Sequence, residues 1–134
     1  MRFIKLVFLV FVFTTMLSTN FLQANLKMKS LEILREVKDV VLGSWDYYVP
    51  GVEPAYANGV MHVTNLKGDY NVNLELPGGT IPTNNVEVNG NEITFDLYVE
   101  GMLVDVKIVI DGDALTGSGN TDQGPFTMTG TRKK

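Results

Sequence analysis

The sequence predicts an all-β protein, an eight-stranded antiparallel up-and-down β-barrel preceded by one amphipathic α-helix. All 13 glycines and all 5 prolines lie at or after Gly43. From that point apolar residues alternate with polar ones, which is the period of a strand with one buried face. Short glycine-containing turns separate the alternating segments, and such turns join only antiparallel neighbours. Closing this meander into a barrel removes both exposed sheet edges.

The chain opens with a predicted signal peptide over residues 1–24. Arg2 and Lys5 precede an unbroken apolar run over 6–13, which is the arrangement of an export signal, and we expect cleavage after Ala24. The run is shorter than the roughly 20 apolar residues of a membrane-spanning helix. The alternative interpretation is an uncleaved anchor. We therefore expect a periplasmic or extracellular protein with no stable membrane span after cleavage.

Residues 25–42 form an N-terminal segment in which we predict a helix over 30–41. Ser30 is the expected N-cap, and Gly43 is the expected residue just beyond the C-terminus. The apolar face of this helix must pack against another surface. It either flanks the barrel or serves as an arm that binds a partner. The spacing of three and four residues that predicts the helix is set by Leu31, Leu34, Val37 and Val41.

The predicted barrel covers residues 43–134. Its eight strands are expected over 45–49, 61–63, 70–76, 86–88, 93–99, 104–110, a short strand from Leu115, and 126–131. The clearest turn signals stand at 67–69, 89–91, 100–101 and 111–113, each with a glycine.

The first and last strands carry a recognisable pattern. Gly43-Ser44-Trp45 opens the first strand after a short helix, and Arg132 follows Gly130-Thr131 at the end of the last. This pattern resembles the lipocalin and avidin-like (calycin) barrels, and the C-terminal run is similar to small lipocalin-like modules of secreted bacterial proteins. The resemblance covers about residues 43–132. It implies that Arg132 packs across Trp45 and that Gly43, Trp45 and Arg132 have a structural role.

Composition excludes several classes of function. The chain has no cysteine, so it has no disulfide framework, thiolate metal site or cysteine nucleophile. A net charge of −4 argues against nucleic acid as a partner. His62 is the only histidine, and we expect it on an outer face. Asp111 and Asp113 could suggest a calcium site, but they flank a turn glycine, and the turn explains both carboxylates. No catalytic motif occurs. We predict a protein that is not an enzyme and has no metal or cofactor.

The two ends of the predicted barrel differ. One end receives the segments 50–58, 77–85, 100–101 and 119–125, three of them long, while the other receives tight turns. Long loops on a rigid scaffold are where binding usually occurs. We expect an interior mostly filled by side chains, with a shallow cup at the long-loop end. The candidate ligand-binding residues are Tyr47, Val49, Tyr56, Leu76, Ile81, Val99, Met102 and Phe126.

Two functions remain open at this point. The first is a binding protein that holds a small apolar or mixed ligand at the long-loop end. The second is a protein-interaction barrel, such as a protease inhibitor or an accessory subunit. It would use the loop end, or residues 25–29 ahead of the predicted helix.

Overall fold

A computed structural model describes residues 22–32 and 40–134. The chain divides into two compact units, Met1–Glu36 and Val37–Lys134. The first contains a helix, α1, over residues 22–32, and the second contains the barrel. No helix in the described part of the chain has the length and apolar character needed to cross a membrane. The predicted signal peptide lies outside the described residues as far as residue 21.

A helix precedes the barrel in the chain, as predicted, but its predicted start at Ser30 is wrong. Helix α1 already includes residues 22–29, a stretch of good helix formers without glycine or proline. Ser30 lies inside it, where its Oγ donates to the carbonyl oxygen of Lys27 at 2.9 Å. Residues 25–29 are therefore helical rather than an extended lead. Residues 40 and 41 lie in a turn, and residues 33–39 of the predicted helix lie outside the described residues.

The barrel is one antiparallel sheet of nine strands, with a short helix, α2 (Pro54–Ala57), between the first two. The sheet order is β4-β3-β2-β1-β9-β8-β7-β6-β5, so neighbours in the chain are neighbours in the sheet, and β1 also pairs with β9. This confirms the predicted up-and-down barrel. The strands are β1 (Gly43–Tyr48), β2 (Asn58–Leu66), β3 (Asp69–Leu76), β4 (Gly79–Pro82), β5 (Asn84–Asn89), β6 (Glu92–Val99), β7 (Met102–Asp111), β8 (Ala114–Thr121) and β9 (Gly124–Arg132).

The chain itself joins the two edges of the sheet. Strands β4 and β5 are separated by Thr83 alone, yet β4 pairs with β3 and β5 pairs with β6. Thr83 Oγ1 donates to the carbonyl oxygen of Val72 on β3 at 2.7 Å, which holds the crossing point against the sheet. Asn85, two residues further along, has φ +51°, and the register of β5 on β6 shifts between Asn84 and Glu87. The barrel is nearly closed because one bent segment pairs on both sides.

The extra strand corrects the prediction of eight. Strand β4 lies within 77–85, which the sequence presents as a loop because its four residues include a glycine and a proline and do not alternate clearly. It forms because its backbone groups hydrogen-bond with those of β3 in an antiparallel pair. The 119–125 segment is also shorter than predicted, since β8 and β9 are joined through residues 122–123. The only long connection in the described barrel runs over 49–57 and contains α2.

The strands alternate buried and exposed residues, and the inward side chains form a single core. Residues buried to 2% exposure or less include Trp45, Met61, Ile93 and Ile108. These four lie towards the end of the barrel that receives the tight turns. That end is packed with side chains, and the opposite end, here called the mouth, is hollow.

Candidate functional site

A cavity of about 350 Å³ opens at the mouth of the barrel. The mouth is formed by the 49–57 connection and by the turns that follow β3, β6 and β8. All eight candidate ligand-binding residues lie in the cavity lining: Tyr47, Val49, Tyr56, Leu76, Ile81, Val99, Met102 and Phe126. The structure therefore brings the predicted set together, and its role in binding stays a prediction.

The cavity is deeper than the shallow cup expected from the sequence. Its lining continues below the mouth to buried core residues in the middle of β3, β6, β7 and β9. The sequence overestimates the filling because it gives the number of inward side chains but not their directions. The additional deep residues are Leu74, Phe95, Leu97, Val104, Val106 and Met128.

Tyr47 is the most deeply placed polar group in the lining. Its ring lies across Gly59 on the neighbouring strand, and a Cβ at Gly59 would come within 2.6 Å of the Tyr47 hydroxyl. The side chain is 7% exposed, and burial raises its pKa to about 12 because the phenolate would lose its hydration. A ligand in the cavity would therefore meet a neutral hydroxyl at neutral pH.

Two more glycines make room for cavity side chains. On β8, Gly117 is paired with Met128 and Gly119 with Phe126 across the ladder to β9. A Cβ at Gly117 would approach Cγ of Met128 to 2.6 Å, and one at Gly119 would overlap the Phe126 ring. Because these glycines lack a side chain, both bulky partners lie flat against β8 instead of filling the centre. The hollow interior depends on these pairings.

The rim of the cavity is acidic. Glu53 and Glu100 both line it, and the Tyr56 hydroxyl donates to Glu100 Oε1 at 3.1 Å. This bond links the 49–57 connection to the β6–β7 turn. The hydrogen bond to Glu100 is the main cause that raises the pKa of Tyr56, and the charges of Glu100 and Glu53 add to it. Ionising the phenol there would place like charges side by side.

Sequence reasoning missed Glu53 and Glu100. Glu100 lies in a two-residue turn with Gly101, where both residues have positive φ, as a type I′ hairpin requires. That turn was correctly predicted, and its position at the mouth followed from the meander. The sequence does show a carboxylate in a turn at the long-loop end, but a residue in a turn predicts the turn and not a contact with the cavity.

The opposite end of the barrel is closed by Arg132 and Trp45. The guanidinium carbon of Arg132 lies 4.1 Å from the centroid of the Trp45 ring, and the indole Nε1 donates to the Val41 carbonyl oxygen at 3.1 Å. A Cβ at Gly43 would lie 3.0 Å from Arg132 Nη1, and Gly43 has φ +122°. Gly43, Trp45 and Arg132 thus lie in one cluster, far from the cavity.

A polar array on the outer face was also missed. His62 Nδ1 is 2.8 Å from Ser44 Oγ, and His62 Nε2 is 2.7 Å from Glu75 Oε2. The three residues come from β1, β2 and β3. The convex outer face gives a substrate no enclosure, and none of the three lines the cavity. We interpret the array as side-chain hydrogen bonds that link three neighbouring strands. In the described residues no three potential metal ligands of the His, Cys, Asp and Glu types lie together.

Comparison with solved structures identifies similar barrels. One is fatty-acid-binding protein 1 of Echinococcus granulosus, at 14% identity and a TM-score of 0.53, with 72% of this chain and 99% of that chain covered. Another is a redesigned β barrel, at 17% identity and a TM-score of 0.55, with 73% and 96% covered. These likenesses show the fold. Neither a protein-family model nor a curated protein sequence matches the chain.

Proposed function

We propose that this protein is an exported, non-catalytic binding protein whose barrel holds one small, largely apolar molecule. The observation that carries the proposal is the cavity of about 350 Å³, with aliphatic and aromatic walls and few polar groups. Ligand pockets have this composition and usually measure about 300–1,000 Å³. A protein with the same fold, fatty-acid-binding protein 1 of Echinococcus granulosus, also supports a barrel that encloses a ligand.

Binding can be tested with Nile red, a neutral apolar dye that fluoresces when it leaves water. We expect a saturable signal with one dye per chain. Val99→Trp places a large ring at a partly buried position in the cavity wall and should weaken binding at least about tenfold. The matched control is Leu103→Trp, at a position on β7 that is 45% exposed and outside the cavity lining. It should bind the dye like the wild type.

Two results would refute the binding proposal. One is the absence of a saturable signal from the wild-type chain. The other is an equal signal from Val99→Trp, with both variants shown to be folded by circular dichroism and by their unfolding transitions.

Export is the second part of the proposal and rests on the sequence of residues 1–24. We expect those residues, fused to alkaline phosphatase in a bacterial host, to deliver an active enzyme to the periplasm. N-terminal sequencing of the exported full chain should begin at Asn25. A fusion that stays in the cytoplasm would contradict export.

A protein-interaction role is the second candidate function. It is favoured by α1, where Leu26 (63%), Met28 (71%) and Leu31 (57%) are exposed apolar side chains. Exposed apolar groups in such numbers on one helix favour contact with another surface. Pull-down with the chain, and with the chain lacking residues 25–32, separates the two functions, because this deletion keeps the residues 40–42 that Arg132 and Trp45 contact. A partner lost only on truncation supports this role, and dye binding should survive the truncation.

A further inference from the structure

The charged side chains among the described residues that line the mouth are acidic. Glu53 and Glu100 line the cavity at the rim, and the Tyr56 phenol lies against Glu100. Among the described residues that line the cavity there is no lysine, arginine or histidine. A molecule whose apolar body fills the interior would therefore leave its head group beside two carboxylates.

The cations of the barrel are placed elsewhere. Arg132 donates to Leu42, Val40 and Asp113 at the closed end. Lys107 forms an ion pair of 3.1 Å with Glu92 and is not in the cavity lining. Lys67 lies in the β2–β3 turn, and Lys133 and Lys134 follow β9, so all three are at the closed end. None of these groups can neutralise a negative charge at the mouth.

These placements are unfavourable for a fatty-acid anion. Moving a carboxylate out of water without a cationic partner costs free energy, and like charges close by add to the cost. An ammonium group in the same place would instead find two carboxylates at the edge of an apolar cavity. Such partly exposed pairs contribute modestly to affinity but decide between ligands of opposite charge.

We propose that the cavity takes a cationic amphiphile, an amine or ammonium group on a short apolar body, with the head group paired to Glu100 and Glu53. The inference rests on the proposed binding function. The size follows from the volume, since 350 Å³ corresponds to roughly a dozen water-sized units at about 30 Å³ each. A chain of ten carbons fits this range.

The test compares three ten-carbon compounds that differ only in head group, decylamine, decanol and decanoate, below their micellar concentrations. Each competes with Nile red for the wild-type chain at neutral pH. We expect decylamine to displace the dye at a concentration about tenfold or more below that of decanoate, with decanol between them. Added salt should weaken the binding of decylamine and leave the binding of decanol unchanged.

Two variants assign the preference to the rim. Glu100→Gln, alone and with Glu53→Gln, keeps the size of the side chains and an acceptor for Tyr56 but removes the charge. We expect the double variant to bind decylamine no more tightly than decanol, and to bind decanol as the wild-type chain does. Glu87→Gln, at an exposed position on β5 outside the cavity lining, is the control and should keep the wild-type order.

The outcomes separate this inference from the binding function. If decanoate binds as tightly as decylamine, or if the order survives in the double variant, the cationic preference is wrong while cavity binding stands. If neither the dye nor any of the three compounds binds, the binding function itself fails, and this inference fails with it.

Discussion

The Arg132 guanidinium covers the Trp45 ring, with its central carbon 4.1 Å from the ring centroid. The same group donates from Nη1 to the Leu42 carbonyl oxygen at 2.6 Å and from Nη2 to that of Val40 at 2.8 Å. One side chain thus fastens the chain that enters the barrel to the strand that ends it. The planar fork of arginine makes these contacts together, which a lysine cannot do.

Replacing this arginine tests the closed end. Arg132→Lys keeps the charge but loses the stacking and at least one hydrogen bond, so the free energy of unfolding should fall by about 1–3 kcal/mol. Urea unfolding followed by Trp45 fluorescence measures it. The control, Lys134→Ala, removes a charge from the same end and should change stability by less than about 0.5 kcal/mol. Equal stability of Arg132→Lys and wild type would show that the fork is dispensable.

Burial of Tyr47 makes stability depend on alkaline pH. Its pKa is about 12 in the folded chain against an ordinary value of 10.0. Above pH 10 the unfolded chain releases this proton while the folded chain keeps it, so the contribution is complete below pH 10 and is lost towards pH 12. Tyr47→Phe has no phenol to ionise, so its free energy of unfolding should fall less than that of wild type across this range. The difference is up to about 1.4 kcal/mol for each unit by which the folded pKa exceeds the unfolded one.

The measurement is urea unfolding at several alkaline pH values. Tyr98→Phe is the control, because Tyr98 is 60% exposed on the outer face of β6. Its stability should follow wild type at every pH. Parallel profiles for wild type and Tyr47→Phe would contradict the predicted role of burial.

The glycines under the cavity side chains should be sensitive to a single added methyl group. In Gly119→Ala the new Cβ would meet the Phe126 ring and approach the Asp105 carbonyl oxygen to 2.6 Å. The ring must move into the cavity and the strand must shift, so we expect a loss of about 1–3 kcal/mol and weaker Nile red binding. Gly78→Ala is the control, since nothing lies within 4 Å of its added Cβ. An unaffected Gly119→Ala would mean that the pairing does not shape the cavity.

The array of Ser44, His62 and Glu75 should not hydrolyse esters. The hydrogen bonds alone would suit a nucleophile and its base, but an oxyanion also needs preorganised donors and exclusion of water. We expect wild type and Ser44→Ala to hydrolyse p-nitrophenyl acetate at the same slow, non-saturating rate. A saturable reaction that Ser44→Ala abolishes would make the outer face an active site.

Local patterns were enough to predict much of this protein. Alternation along β3, β6 and β7 shows which side chains point inward, because the period of two is a property of each strand. Turn residues such as Gly68 and Gly101, with positive φ, set the antiparallel order. From that order follow the two ends of the barrel and eight of the residues that line the cavity, while the resemblance to calycin barrels implied that Arg132 packs across Trp45.

Only the tertiary structure decided the rest, because it depends on contacts between distant segments. Strand β4 forms because its backbone groups pair with those of β3. Gly119 shapes the cavity because the register of β8 on β9 places Phe126 directly across from it. The depth of the cavity depends on how those rings lie. Glu100 is an ordinary turn residue in the sequence. It becomes part of the cavity rim only when the closed barrel places its Oε1 3.1 Å from the hydroxyl of Tyr56, 44 residues away.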